Sequence, residues 1–390
     1  MKNLGKAILF HQGAEEYGSD KIFYLVCRLL KSKHELTVVL DSDGPLVKKI
    51  KALGVENIII MDLAVLRRDK ISLSKLFSFT CDFFKAVTRV RKLIKKTNPQ
   101  LLYVNTLAVV SPLFACILIK NSKVIHHLHE IQTKPKYLFR LLYSISGALS
   151  DKVLCVSESV VKCYKDMTLI GKDKSSLLYN GLPEQKPLDP KIKESLSKEI
   201  SLAFGKTPDF LLAYVARLHT WKGQSLFLDV IQKLKDEYEL DVKVAFFGDC
   251  FSGYEYLLPE LKNKAQRLGI ENNVHFFGFR KDAQALFELS NISIMGSIDP
   301  DPLPTIVLES FQCKTPVFAY AHGGSTEMVV DNETGHLIDP LETDKMAKKI
   351  AEYYRRNYEL EQMGLNAFIR YKDKFSIEAF EKNLHTELEF

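Results

Sequence analysis

Two series of short apolar runs, each run followed by a longer stretch of helical period, limit what this chain can fold into more than any other feature. In the first half the runs are "KAILFHQG", "LTVVLDSD", "NIIIMD", "LLYVN", "KVIHHLHE" and "KVLCVS"; in the second they are "FLLAYVARL", "VKVAFFGD", "VHFFGF", "ISIMGS" and "TPVFAYA". Strands that alternate with helices in this way build βαβ units, whose strands pair in parallel, so each series predicts one doubly wound α/β sheet. Between the two series, "YNGLPEQKPLDPKIKES" is polar and carries three prolines, which suits a linker. A chain of 390 residues also exceeds one hydrophobic core, and two domains of roughly 150–200 residues are expected. The predicted division is an N-terminal domain over 1–182, a linker over 183–205 and a C-terminal domain over 206–370. An amphipathic terminal helix over 371–390 is expected to pack back on the N-terminal domain. There is no short-period repeat and no low-complexity tract.

Several classes are disfavoured. No run of about 18 uncharged apolar residues is present, and the first residues enter a strand-like segment without a signal-peptide core, so a cytoplasmic protein is expected. The seven cysteines, Cys27, Cys81, Cys116, Cys155, Cys163, Cys250 and Cys313, are scattered and form no CxxC pair, which argues against a disulfide framework and a zinc site. The net charge of +6 hides a division: through Leu182 there are 29 Lys and Arg against 15 Asp and Glu, whereas the remainder has 25 against 33. A basic half and an acidic half imply different partners, the basic one attracting phosphates.

In open parallel sheets ligands sit at the carboxyl ends of strands, where loops lead into helix N-termini. Arg217 closes the run "FLLAYVARL" and Lys222 follows five residues on, just before a helical stretch; two fixed cations there can hold a diphosphate. Taken alone they are more simply surface cations. Gly248 ends "VKVAFFG" where a backbone could approach a ligand, and a plain turn explains it as well. After "ISIMGS" comes "IDPDPLPTIVLES". Asp301 lies in that loop and Glu309 about two turns into the helix that Thr305 begins, so both can address one crevice. Pro302 and Pro304 supply no N–H where a helix start would leave one unused. The amides of Leu303, Thr305 and Ile306 then stand at the positive end of the helix dipole, a place for phosphate or sugar hydroxyl. One unit later, Gly323 and Gly324 precede a second short helix carrying Glu327. The "DPD" at 299–301 matches a metal-binding D-x-D, but two carboxylates are too few for a divalent ion, and with two cations available no metal or other cofactor is expected.

The ordered set R-x4-KG, G-D, "GFRKD", D-x7-E and GG-x2-E, over roughly residues 211–340, resembles the donor domain of the retaining family 4 glycosyltransferases, glycosyl transferases group 1. More loosely, "GAEEYGSDKIFYLVCRLL" is similar to that family's glycine loop and first helix, and "HHLHEIQ" to its His-acidic segment. The resemblance implies the GT-B fold, two Rossmann-like α/β domains facing across a cleft. It also implies that Arg217 and Lys222 clamp the nucleotide diphosphate of a UDP- or GDP-sugar, that Glu309 binds ribose and that Asp301 contacts sugar hydroxyls. The backbone near Phe279 would receive the base, Gly18 would lie close to the phosphates, and His129 would face the sugar. The family usually has Glu at the Asp301 position and then Phe-Gly where this chain has Leu303-Pro304, which bears on the identity of the sugar. For "HHLHE" the plain alternative is core packing of satisfied imidazoles; His129 is favoured over His126 and His127 because Glu130 follows it.

Residues 67–96 hold ten Lys and Arg against two Asp, interleaved with apolar residues at helical spacing, and "QTKPKYLFRLLYS" forms a further basic patch. An ordinary surface helix accounts for the apolar spacing but not for the sign imbalance, which suits an anionic membrane surface and a lipid-linked or glycan acceptor. No nucleic-acid module is visible. The expectation is a retaining, peripheral-membrane transferase of polysaccharide or glycoconjugate biosynthesis. Its rivals are a nucleotide-sugar epimerase of the same fold and a non-catalytic nucleotide-sugar or glycan binder. A dinucleotide oxidoreductase is disfavoured by the missing G-x-G-x-x-G.

Overall fold

The computed structural model describes residues 5–15, 18–66, 73–117, 119, 121–250 and 253–388. It divides into two units, Met1–Asn180 with Phe380–Phe390, and Gly181–Ala379.

The N-terminal unit holds seven parallel strands: β1 Gly5–His11, β2 His34–Leu40, β3 Asn57–Ile60, β4 Leu101–Asn105, β5 Lys123–Leu128, β6 Lys152–Cys155 and β7 Ser175–Leu177. Their order in the sheet is β3-β2-β1-β4-β5-β6-β7. The order reverses between β1 and β4, and such a switch point opens a crevice at the strand ends. His11 is the last residue of β1 and Asn105 the last of β4, so the switch point is flanked by side chains able to hydrogen-bond. β4 is buried along its whole length, as a central parallel strand covered on both faces must be.

The helix Leu73–Thr97 buries Ala86, Val90 and Ile94, one residue per turn, and packs Val90 and Ile94 into the cluster of Ile8, Phe10, Leu102 and Val104. The guanidinium of Arg91 donates to the carbonyls of Phe114 and Ile117. Its apolar stripe is therefore core, and its outer side carries Lys85, Arg89, Lys92, Lys95 and Lys96 with the exposed Phe84. Arg67, Arg68, Asp69 and Lys70 of the basic stretch lie outside the described residues, as do Glu16 and Tyr17 of the glycine loop.

The C-terminal unit has six parallel strands: β8 Leu211–Val215, β9 Lys243–Phe247, β10 Val274–Gly278, β11 Ile292–Met295, β12 Val317–Tyr320 and β13 Gly335–Ile338. Their order, β10-β9-β8-β11-β12-β13, repeats the first sheet's pattern with the switch point between β8 and β11. Residues 183–205, expected as a linker, are largely a helix, Pro190–Phe204. Asp189 caps its first turn with a bond from Lys191 N–H, proline stands at the first helical position and Gly205 ends it in the left-handed region. Leu196 and Ile200, four apart, are buried with Ala213, Phe247 and Leu286, so the segment belongs to this unit's core. The last helix, Ile377–Leu388, is part of the N-terminal unit from Phe380 on, where Glu387 pairs with Lys152 at 2.7 Å.

Candidate active site

In the C-terminal unit the site is assembled from backbone before side chains. Gly223, at φ +78°, lies so close to the loop after β11 that a Cβ there would stand 1.9 Å from the carbonyl oxygen of Gly296. Only glycine permits both the angle and the approach. Ile298 N–H donates to Trp221 O at 2.8 Å, so the loop after β8 is fixed against the loop after β11 across the switch point. The next loop is stacked beneath in the same way: Gly324 N–H donates to Asp301 O at 2.8 Å, and a Cβ on Gly323 would lie 2.4 Å from that oxygen.

This scaffold brings Lys222 and Asp301 together, 79 positions apart in the chain. The Lys222 ammonium donates to the Asp301 carboxylate at 2.6 Å, with the side chains 17% and 14% exposed, and sits 3.8 Å above the Trp221 ring. Two of the expected ligand-binding charges therefore satisfy each other. Leu303 is buried and Pro304 precedes the helix Thr305–Gln312 without any side-chain cap. The amides of Thr305 and Ile306 lack intrahelical partners by position, at the positive end of the dipole. Thr305 and Glu309, four residues apart, lie on the half-buried side of this helix, while Val307, Leu308, Ser310 and Phe311 face the core.

The remaining expected residues follow the same strand ends. Arg217 is exposed, and its carbonyl accepts from Gln224 at 2.9 Å. Gly248 donates its N–H to Gly278 O, and a Cβ there would meet Ala216 O at 1.9 Å, so close packing on the loop of Arg217 accounts for this glycine. Phe279 follows β10 with 68% of its surface exposed. In "GFRKD" the Arg280 guanidinium is engaged by Asp282 at 2.7 Å and Glu199 at 2.8 Å, which raises its pKa further. Patterning gives no reason to single out His322. Its ring is largely buried, and burial lowers its pKa against the backbone of Ser297 and of His322 itself and, more weakly, the pull of Asp299 and Asp301.

In the N-terminal unit, the three histidines of β5 and its end separate into two kinds. His126 is wholly buried and satisfied, Nε2 to Thr106 O at 2.9 Å and Nδ1 to Ser146 Oγ at 2.8 Å, as the plain alternative for this segment expects. His127 is also fully buried; its Nδ1 shares a hydrogen bond with Tyr103 Oη at 2.6 Å. Burial pushes these imidazoles down to about 4 and about 3, so both are neutral. His129 emerges beyond the strand end, partly exposed, with its ring 4.2 Å from that of His127 and Nε2 at 2.9 Å from Asn105 Oδ1. Burial, and then His127, His11 and His126, hold its pKa well below the usual value. A neutral imidazole exchanges hydrogen bonds with hydroxyl groups and does not act as a cation.

Glu130 does not touch the His129 ring. Its carboxylate accepts the N–H groups of Leu107 and His129, both at 3.0 Å, tying the ends of β4 and β5 together, and burial raises it to about 7. Gly18 opens the helix Gly18–Leu30, and Asp20 in that helix's first turn bonds His11 Nε2 at 2.8 Å. Asp20 falls within "GAEEYGSDKIFYLVCRLL", but nothing local signals its link to His11 or that of His11 to Asn105, 94 residues beyond.

Residues 198–370 match the family model for glycosyl transferases group 1, and residues 22–186 match that for glycosyltransferase family 4. The α-1,3/1,6-mannosyltransferase ALG2 of Dictyostelium discoideum is 28% identical over 308 residues, covering 70% of this chain and 71% of that one. The chain spans 44% to 71% of the length of three curated relatives it matches. Among solved structures, Anabaena HepE in complex with UDP superposes with a TM-score of 0.82 at 20% identity, covering 98% of this chain and 99% of that one. HepE in complex with UDP-glucose gives 0.80 at 19% identity, covering 99% of each.

Proposed function

Because the chain belongs to the family 4 glycosyltransferases and is an enzyme of the GT-B type, we propose that it moves a sugar from a nucleotide-sugar donor to a lipid-linked or glycan acceptor at a membrane surface. The observation that carries the donor assignment is the Lys222–Asp301 pair, held by three glycine contacts beside the uncapped start of the helix Thr305–Gln312. A nucleoside diphosphate would take the ammonium of Lys222 from Asp301, with Arg217 as second cation and the amides of Thr305 and Ile306 as further donors. The freed Asp301 carboxylate would then accept from a sugar hydroxyl, while Glu309 accepts from ribose. That HepE binds UDP and UDP-glucose supports a donor of this class.

Departure of the nucleotide diphosphate leaves negative charge, which Lys222 and Arg217 stabilise without a metal; transfer is expected to survive EDTA. His129 presents a neutral imidazole to the transferred sugar, and transfer retains anomeric configuration. The acceptor side rests on the cationic outer face of the helix Leu73–Thr97, together with the exposed Tyr137 and Leu141 of the basic helix Lys136–Leu149. Such a face binds anionic lipid from the cytoplasmic side while remaining peripheral, and no helix among the described residues is long and apolar enough to cross a membrane. The test is transfer by Lys222→Ala and Glu309→Ala: both should lose at least about a hundredfold in kcat/KM, equivalent to about 2.7 kcal/mol, with unchanged circular dichroism. Near-normal turnover in both removes the assignment.

A further inference from the structure

We infer that Asp20, His11 and Asn105 are positioning residues that fix the tautomer of His129, so that its Nδ1 is presented as a hydrogen-bond acceptor. The three sit in sequence between the first helix and the strand ends at the switch point: Asp20 Oδ1 to His11 Nε2 at 2.8 Å, His11 Nδ1 to Asn105 Nδ2 at 2.9 Å, and Asn105 Oδ1 to His129 Nε2 at 2.9 Å. His11 and Asn105 have no exposed surface and Asp20 has 5%.

Each link follows from what the one before can do. An ionised carboxylate only accepts, so His11 Nε2 must donate to Asp20. Asn105 turns its amide nitrogen to His11 Nδ1 at 2.9 Å, so that atom accepts. An amide has one nitrogen and one oxygen, so the group left facing His129 is the oxygen, and His129 Nε2 must carry a proton to donate to it. The lone pair of His129 is thereby confined to Nδ1. Packing holds the chain in register: His11 stacks on Phe23 with centroids 4.6 Å apart, and His129 lies against His127. The Glu130 carboxylate fixes the backbone of His129 and Leu107. The ring therefore has little freedom to turn over and exchange its nitrogens.

For transfer this rests on the reading that His129 meets the sugar, where an acceptor nitrogen would orient a hydroxyl by taking its hydrogen bond. The arrangement has the logic of a carboxylate that sets the tautomer of a working histidine, here with one amide more in the line.

The test uses the full-length chain labelled with 15N-histidine and long-range 1H–15N NMR, which separates the Nδ1–H and Nε2–H forms; the His129 signals are identified by their loss in His129→Ala. In the parent protein His129 should be the Nε2–H tautomer. In Asp20→Leu His11 Nε2 loses its acceptor, so nothing holds His11 in one tautomer or Asn105 in one orientation, and His129 should gain a populated Nδ1–H form, with kcat at least about tenfold lower and donor KM little changed. Asn105→Asp, isosteric and accepting on both sides, should instead keep His129 as Nε2–H and protonate His11 on both nitrogens. It serves if Asp20→Leu does not fold. An Nδ1–H form in the parent, or an unchanged His129 in Asp20→Leu, overturns the inference, as does an unprotonated Nε2 in Asn105→Asp. If the tautomers behave as stated but His129→Ala transfers normally, the role given to His129 fails and the relay stands.

Discussion

Replacing Asp301 by Asn should tighten the binding of UDP while slowing transfer, an unusual pairing that follows from the competition between the carboxylate and the diphosphate for Lys222. The two side chains meet at 2.6 Å and are 14% and 17% exposed, between the surface pair worth about 0–1 kcal/mol and the buried pair whose disruption costs about 3–5 kcal/mol. A net attraction of about 1–2 kcal/mol has to be given up when a diphosphate takes the ammonium. Removing it should lower the UDP dissociation constant about five- to thirtyfold. Transfer moves the other way, because the sugar loses a charge-assisted hydrogen bond worth about 1.5–3 kcal/mol, or roughly ten- to a hundredfold in kcat/KM. Titration calorimetry with UDP on the parent, Asp301→Asn, Lys222→Met and the double variant completes a thermodynamic cycle. Relief of repulsion between Asp301 and the diphosphate would persist without Lys222, whereas relief of competition would not. The gain should therefore vanish in the Lys222→Met background. If Asp301→Asn weakens UDP binding, or gains as much without Lys222 as with it, the competition does not exist.

Two further outcomes are expected. Burial raises the Glu130 carboxyl from 4.5 to about 7, so the folded state keeps a proton that the unfolded chain has lost between those values; stability from this group falls as pH rises through that window, by on the order of 3 kcal/mol. Glu130→Gln has no such group, so its urea stability relative to the parent should rise between pH 4.5 and 7.5, while His126 and His127 titrate in both proteins and cancel; a difference independent of pH refutes the placement. At the membrane, Lys85, Arg89 and Lys92 changed together to Gln should weaken flotation with anionic vesicles by about 1 kcal/mol per charge removed and leave UDP affinity unaltered; unchanged flotation withdraws the membrane face.

The strands with long apolar runs were legible because a buried parallel strand must be apolar on both sides. β7 and β13 were not: Ser175–Leu177 opens with two serines at a sheet edge, and Gly335–Ile338 has only two aliphatic residues, preceded by Gly335 and His336. The helix Pro190–Phe204 was hidden by prolines that read as linker but stand just before it and at its first turn, where the chain needs no N–H. Asp301 and Lys222 were each visible as chemistry at a strand end, and their mutual pairing was not, since it depends on Gly223 and Gly323 approaching backbones far away in sequence. The links of Asp20 to His11 and of His11 to Asn105 carry no local signal; strand order alone brings them together at the switch point between β1 and β4.

The most direct measurement is a crystal structure of the chain with UDP, or with GDP if UDP does not bind. The diphosphate should lie within hydrogen-bond reach of Lys222 Nζ and of the Thr305 or Ile306 amide, with the Lys222–Asp301 contact opened. A nucleotide seated elsewhere, or one that leaves that ion pair closed, would contradict the donor site described for this transferase.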